Sequence, residues 1–442
     1  MPLRFYFNLK ASIMTNRNRW LGVYSLLILL VIAYIDRVNM AVLIVDHDFL
    51  AAFGLVGDRA GQGSLMSIFL LGYGAAAILL TPLYETYLGY RRGLFVSMVV
   101  WALLTAVSPI SGSLFALLVV RAFLGASEGP LFSLKTMYVG DHFAGPERGK
   151  PNAVSSMGVS VGLAVGFPLI SVLMHNYGWH ASFHILALIN LVVGLPLVHL
   201  FIKKPAAQSP QAQQSKPAKP SLRAVFRGAL TTPHLGYVLL IEIFTLAYLW
   251  GSSSWLPAYL VSDKGFSIRE MGWISSLPFI VAIAANFLGG VLIDVFNAKR
   301  TPLIFTLGGL ATAASVFALI GSTGTTSTLT FLMLASVFWG IQGAAIPTLI
   351  QRFSPAQSVG SAYGIINGIG NMVAAFMPMA MGSLMKIHVS SGFYLLIISQ
   401  VCVAICGIVL TVRLSSRREQ LLRPQPSAAA SEFQNTATRG TQ

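Results

Sequence analysis

Twelve apolar runs, each about as long as a membrane is thick, limit what this chain can fold into. A hydrocarbon core of about 30 Å needs roughly 20 apolar residues per helix. Runs of that length lie at about 20–45, 62–84, 93–112, 114–139, 151–174, 180–202, 236–261, 271–295, 302–321, 327–350, 360–385 and 391–413. The 442 residues are 55% hydrophobic and 10% charged, against about 25% charged in a soluble domain. The expectation is an all-α membrane protein with twelve transmembrane helices. The basic lead before Trp20 (Arg4, Lys10, Arg17, Arg19) precedes an apolar run too long for a signal peptide and without a small-x-small cleavage site. That run is expected to stay as the first span.

A polar, basic, Pro-rich stretch divides the runs into two sets of six. It contains Lys203, Lys204, Pro205, Gln211, Lys216, Pro217, Lys219 and Pro220, the composition of a linker without a core of its own. The expected organisation is an N-terminal segment at 1–19, a six-helix bundle at 20–202, a linker at 203–235, a second bundle at 236–413 and a disordered tail at 414–442. Punctuation recurs between the halves. Gly89-Tyr-Arg91-Arg92 follows the second run and Asn297-Ala-Lys299-Arg300 the eighth, while Phe167-Pro168 and Met377-Pro378 end the fifth and eleventh. Parallel repeats of this kind favour a transporter that rocks one half against the other around a midplane site. Shared loop chemistry from the positive-inside rule is the plainer alternative.

Lys and Arg near the span ends set orientation. Arg91, Arg92, Arg148, Lys150, Lys299, Arg300, Arg352, Arg417 and Arg418 share one side with the basic lead and linker, while the other holds Arg59, Lys264, Arg269 and Lys386. Both termini are expected to be cytoplasmic. The net charge of +15 comes without an aromatic-interleaved basic patch, which argues against nucleic-acid binding. Cys402 and Cys406, the two cysteines, sit within one apolar run and imply neither a disulfide nor a metal site. His47 between Asp46 and Asp48 reads as a solvated turn rather than a metal ligand. No nucleophile elbow or phosphate loop marks an enzyme.

Buried charge carries the chemistry. A charged side chain at mid-membrane costs roughly 2.5–3.5 kcal/mol, and Asp36, Arg37, Arg121, Glu128 and Glu242 all fall within spans. They must face one another, water or a substrate. Arg121 and Glu128, seven apart, share a helix face with Gly125 between them. They either staple the fourth helix to the first through Arg37 and Asp36, or exchange protons. Arg37 offers a planar fork of donors to a carboxylate, with Tyr34 one turn away. Tyr73, between Gly72 and Gly74, holds a similar position, or simply packs. Ser336, Trp339 and Gln342 recur every third residue, and Asn367 and Asn371 are spaced i, i+4. Such groups suit a polyhydroxylated ligand, or act as interhelical glue.

Four stretches carry a family resemblance: Tyr34-Ile-Asp36-Arg37-Val-Asn39, Arg121-Ala-Phe-Leu-Gly125-Ala-Ser-Glu128-Gly-Pro130, Trp255-Leu-Pro257-Ala-Tyr259-Leu260 and Gly364-Ile-Ile-Asn367-Gly-Ile-Gly-Asn371. They resemble signatures of the anion:cation symporter family of the major facilitator superfamily, across Trp20 to about Arg418. The resemblance implies two pseudo-symmetric six-helix bundles and import of an organic anion, a sugar acid or related carboxylate, with protons. It implies proton coupling at Asp36, Glu128 and Arg121, and substrate contact at Arg37, Tyr34, Tyr73, Trp339 and Asn367. The proton is the coupling ion and no other cofactor is expected; the implied setting is the bacterial inner membrane, with the chain a monomer. A uniporter or exporter on this fold, or a transporter-like ligand sensor, is the alternative.

Two departures stand out. The superfamily loop motif after the second helix has Thr86 where Asp is usual, with Glu85 beside it and Arg91 and Arg92 following; the second copy keeps Asp294, Lys299 and Arg300. Glu85 either substitutes in the gate latch or the latch is weaker. Glu242 stands where sugar-acid members tend to carry an amide. It could alter stoichiometry, accept a substrate hydroxyl or disfavour highly acidic ligands.

Overall fold

A computed structural model describes residues 2–143, 149–203, 221–296, 300–355 and 358–422, and among them no strand occurs. Among the described residues eleven stretches are long and apolar enough to cross a membrane. The longest, Arg59–Ile110, is two helices back to back: Arg59–Leu83 and Gly89–Val107, joined by a π-turn at Tyr84–Leu88. Gly89, at φ 71°, reverses the chain there, a backbone region open to glycine. Twelve spans result: α1 Arg17–Leu43, α2 Arg59–Leu83, α3 Gly89–Val107, α4 Leu114–His142, α5 Lys150–Tyr177, α6 Trp179–Phe201, α7 Leu235–Ser262, α8 Glu270–Ile293, α9 Leu303–Gly321, α10 Thr325–Phe353, α11 Val359–Leu384 and α12 Val389–Ser415. Exposed Leu79, Phe115, Phe123, Phe287, Leu307 and Phe317 stud their outer faces, an apolar coat that suits lipid rather than water.

Several spans are broken rather than smooth. α4 turns at Gly129-Pro130 between Leu114–Glu128 and Leu131–His142, and α10 turns at Gly343-Ala344 in the corresponding place. α11 breaks at Ala375, two residues after which Met377-Pro378 follows, and α6 holds a π-turn at Asn190–Gly194 before Pro196. A proline removes the hydrogen bond to the preceding turn, so breaks gather around it.

The halves meet along α2 with α11 and along α5 with α8. Small residues allow it. A Cβ on Gly368 would lie 2.7 Å from the Gly74 carbonyl, one on Gly364 2.8 Å from that of Ala77, and one on Gly63 3.1 Å from Met379 Cα. Without a hydrophobic drive between helices in lipid, such close backbone approach is what association rests on. Within the first half, Gly125 of α4 sits against the Phe69 carbonyl of α2 in the same manner.

The linker differs in part from its sequence reading. Leu222–Leu230 is a helix packed on α11, with Val225 and Ala229 buried and Arg223 and Arg227 exposed. The i, i+4 pairing of Val225 with Ala229 makes an amphipathic stripe that composition alone hides. Residues 204–220 and 423–442, which hold the rest of the linker and most of the tail, lie outside the described residues.

Gly125→Val should destabilise the first bundle by about 1–3 kcal/mol through overpacking. The check is the thermal melt of the detergent-solubilised protein, and an unchanged melting temperature would contradict the α2–α4 approach.

Candidate functional site

In the second half of α1, Tyr34 and Arg37 lie one turn apart on the cavity side while Asp36 faces elsewhere, since successive helical residues turn by about 100°. Arg37 faces α4. Its Nε lies 3.0 Å and its Nη2 2.9 Å from the same Glu128 oxygen, with both residues 1% exposed. Aromatic rings enclose the guanidinium: its Cζ is 4.5 Å from the Tyr34 centroid, 4.9 Å from Tyr73, 5.3 Å from Trp250 and 5.4 Å from Phe69. Paired charge and ring faces together offset burial.

Asp36 looks the other way. It accepts hydrogen bonds from Trp101 Nε1 at 2.5 Å and Thr105 Oγ1 at 3.0 Å, both on α3. Arg121, an electrostatic neighbour of Asp36, lies 4.7 Å over the Phe69 ring and donates from Nε to the Leu65 carbonyl at 3.4 Å. The staple between α1 and α4 therefore consists of Arg37 with Glu128. Among the described residues, Asp36 makes no salt bridge.

The second half answers with amides. Tyr73 Oη donates to Asn367 Oδ1 at 3.0 Å, and Asn367 Nδ2 donates to Glu242 Oε1 at 3.0 Å. Asn371 accepts from Trp250 Nε1 at 2.7 Å and donates to the Asn367 carbonyl at 2.7 Å. Trp250 stacks on Tyr34 across the halves, centroids 6.1 Å apart and planes 6° off parallel. Asn286 of α8 donates to Ser160 of α5 at 3.3 Å. These groups enclose a cavity of about 100 Å³, where one water takes roughly 10–15 Å³. Thr245 Oγ1 and Trp339 Nε1 belong to residues lining it and have no protein partner among the described residues. The arrangement can hold a carboxylate at the guanidinium and hydroxyls at the amides.

Of the residues picked from sequence, Tyr34, Arg37, Tyr73, Glu242, Trp339, Asn367 and Asn371 line this one cavity. Ser336 does not. It lines a separate cavity of about 30 Å³ with Tyr248 and Phe279, and Trp339 borders both. Gln342 points to Gln400 of α12 at 3.4 Å. A period of three slips by about 60° per step on a 3.6-residue helix, so the stripe winds off the cavity. His47 begins a short helix, His47–Ala52, for which Asp46 is the cap, its side chain accepting from the Phe49 N–H at 2.8 Å.

The gate candidates lie toward the face that carries the chain termini. Glu85 accepts a hydrogen bond from Ser361 Oγ of α11, joining the halves. It lies in the π-turn Tyr84–Leu88, whose extra residue per turn absorbs a one-residue displacement of the acid. Arg91 Nη2 donates to the His199 carbonyl at 3.1 Å, and Arg92 and Arg300 are exposed. The Asp294 side chain and Lys299 lie outside the described residues. Sequence reading missed Trp250, Ser160, Asn286 and Lys135. Lys135 follows Glu128 by the same seven residues that separate Arg121 from Glu128, but the turn at Gly129-Pro130 falls between them.

Two six-helix halves around a cavity at mid-membrane depth define a membrane transporter by architecture. The family model of the Major Facilitator Superfamily matches residues 26–378 and 238–434. The chain belongs to that superfamily, and it is a transporter rather than an enzyme. It is 26% identical over 385 residues to the hexuronate transporter of Bacillus subtilis, covering 83% of this chain and 88% of that protein. A probable galactarate/D-glucarate transporter of the same organism is 24% identical over 397 residues, covering 82% and 85%. In fold it is similar to a bacterial homologue of the human lysosomal transporter Spinster in an inward-facing, occupied conformation. That match has a TM-score of 0.65 at 18% identity and covers 92% of this chain and 98% of the other.

Asn367→Ala should leave the Tyr73 hydroxyl and the Glu242 carboxylate without their partner and cost roughly 1–3 kcal/mol. Thermal melts of the purified variant measure it; wild-type stability would mean that the chain from Tyr73 to Glu242 contributes nothing.

Proposed function

We propose that the chain imports a small organic anion, a sugar acid or related carboxylate, together with protons, by alternating access of its two halves. The observation that carries this reading is that Arg37, which lines the cavity, is paired with the buried Glu128. Glu128 and a substrate carboxylate are chemically alike and compete for one guanidinium. Protonation of Glu128 frees Arg37 for the substrate, and loss of that proton restores the pair and expels it. Asp36, held by Trp101 and Thr105 next to Arg121, is the second proton site. Asn367, Asn371, Trp339 and Glu242 take substrate hydroxyls, the carboxylate of Glu242 as an acceptor.

Energetics give the direction. Moving an anion into a negative-inside cell costs about 2.3 kcal/mol per charge per 100 mV, so accumulation requires at least one accompanying proton. The Lys and Arg bias favours both termini in the cytoplasm of a bacterial inner membrane, and a cavity lined by one chain suits a monomer. Glu85 with Ser361 then belongs to the cytoplasmic gate.

Glu128→Gln is expected to abolish proton-driven accumulation in proteoliposomes while retaining counterflow exchange, since Arg37 stays free for substrate. Arg37→Lys should lose both, because an ammonium lacks the planar fork and the ring-stacking face. Full uphill uptake by Glu128→Gln, or uptake by the wild type that ignores an imposed pH gradient, would favour a uniporter and refute the coupling.

A further inference from the structure

Lys135 is a buried amine with no acidic partner among the described residues. It is 2% exposed, its Nζ donates to Ser156 Oγ of α5 at 2.8 Å, and it lies 5.1 Å from the centroid of the Phe132 ring. Arg37, by contrast, has Glu128. A hydroxyl and a ring face return only part of what desolvating an ammonium costs, and charges inside a bundle usually mark a pathway or a ligand.

Its position supplies the ligand. Ser156 and Phe132, its two neighbours, both line the cavity that Arg37 lines. Arg121, Glu128 and Lys135 follow one another at intervals of seven along α4, but the turn at Gly129-Pro130 falls within the second interval, so the bond to Ser156, not the spacing, fixes where Lys135 points. Lys135 stands beyond that turn from Glu128, toward the face of the molecule that carries the termini. Because Lys135 donates to Ser156 Oγ, the hydroxyl proton of Ser156 is free to point at an acceptor in the cavity. The ammonium and hydroxyl together make an anion seat some distance from the guanidinium.

We propose that Lys135, with Ser156, is a second anion anchor that adapts this site to organic anions bearing an acidic group at each end. Arg37 takes one acid and the Lys135–Ser156 pair the other, while the amides of the second half hold the hydroxyls between. The inference rests on the proposed function in that it uses the same cavity and the same role for Arg37. It adds the substrate class: a polyhydroxylated diacid in preference to the monoacid of equal length.

Binding of D-glucarate and D-glucuronate to the purified full-length protein tests it, by isothermal titration on wild type, Lys135→Gln and Lys135→Arg. These ligands have the same carbon chain and differ by one acidic end. Wild type should prefer glucarate. Lys135→Gln keeps a donor for Ser156 but no charge, so glucarate affinity should fall by about tenfold or more while glucuronate changes by less than about threefold, the scale of one charge-assisted hydrogen bond. Lys135→Arg should keep the preference. An equal loss for both ligands, no loss for either, or a wild type that binds the monoacid but not the diacid overturns the inference and leaves the proposed function standing. A wild type that binds neither these two nor any other organic acid overturns both.

Discussion

The ion pair between Arg37 and Glu128 is the constraint on which the rest of the centre depends. An unpaired charge at this depth is costly, yet neither residue is exposed and, among the described residues, each forms its ion pair with the other alone. The surrounding rings of Tyr34, Tyr73, Phe69 and Trp250 come from α1, α2 and α7. One guanidinium thus ties three spans of the first half to one of the second. Any event that unpairs Glu128 changes what those four rings surround.

Helix shape follows from the same demand for close approach. Gly125 and Gly129 let α4 lie against α2, and Gly74, Gly364 and Gly368 let α2 lie against α11. The glycines bring the Tyr73 hydroxyl within 3.0 Å of Asn367. The turns at Gly129-Pro130 and Gly343-Ala344 lie beside the cavity, where non-helical backbone is tolerated because protein rather than lipid surrounds it. Lys135 follows the first of these turns, so the break also sets the bearing of a charge that a straight α4 would carry elsewhere.

Most of the architecture was legible in the sequence because lipid imposes length and apolarity on every span, and runs of about 20 residues are hard to mistake. The join of α2 to α3 was harder, since the π-turn keeps both helices in one continuous stretch that only Gly89 reverses. Buried charges were legible for the same thermodynamic reason: Arg37 and Glu242 reach the cavity wall, and Glu128 pairs with Arg37 behind it. Partner choice was not legible. Asp36 and Arg37 are adjacent in sequence and face different helices, and Ser336 slips off the cavity because a period of three is not 3.6. Trp250 carried no signal, as one more aromatic in an apolar span. Lys135 was passed over because it lies near the end of its run, beyond the Gly129-Pro130 turn that hides its bearing from any periodicity argument.

The two halves divide the chemistry unequally. Asp36, Arg37, Arg121, Glu128 and Lys135 lie in the first, whereas around the cavity the second offers Asn286, Asn367 and Asn371 with Glu242 as its one acid. Glu242 is itself bound by Asn367, which also holds Tyr73. An amide at position 242 could accept from Asn367 equally well, so the hydrogen bond alone does not call for an acid. What the carboxylate adds is charge in the half that otherwise has none at the cavity. In its charged form that carboxylate would disfavour a second anion near α7. Under the proposed reading Glu242 and Lys135 would act as a pair without touching: one repels and the other attracts an acid, which would orient a ligand that has an acid at both ends.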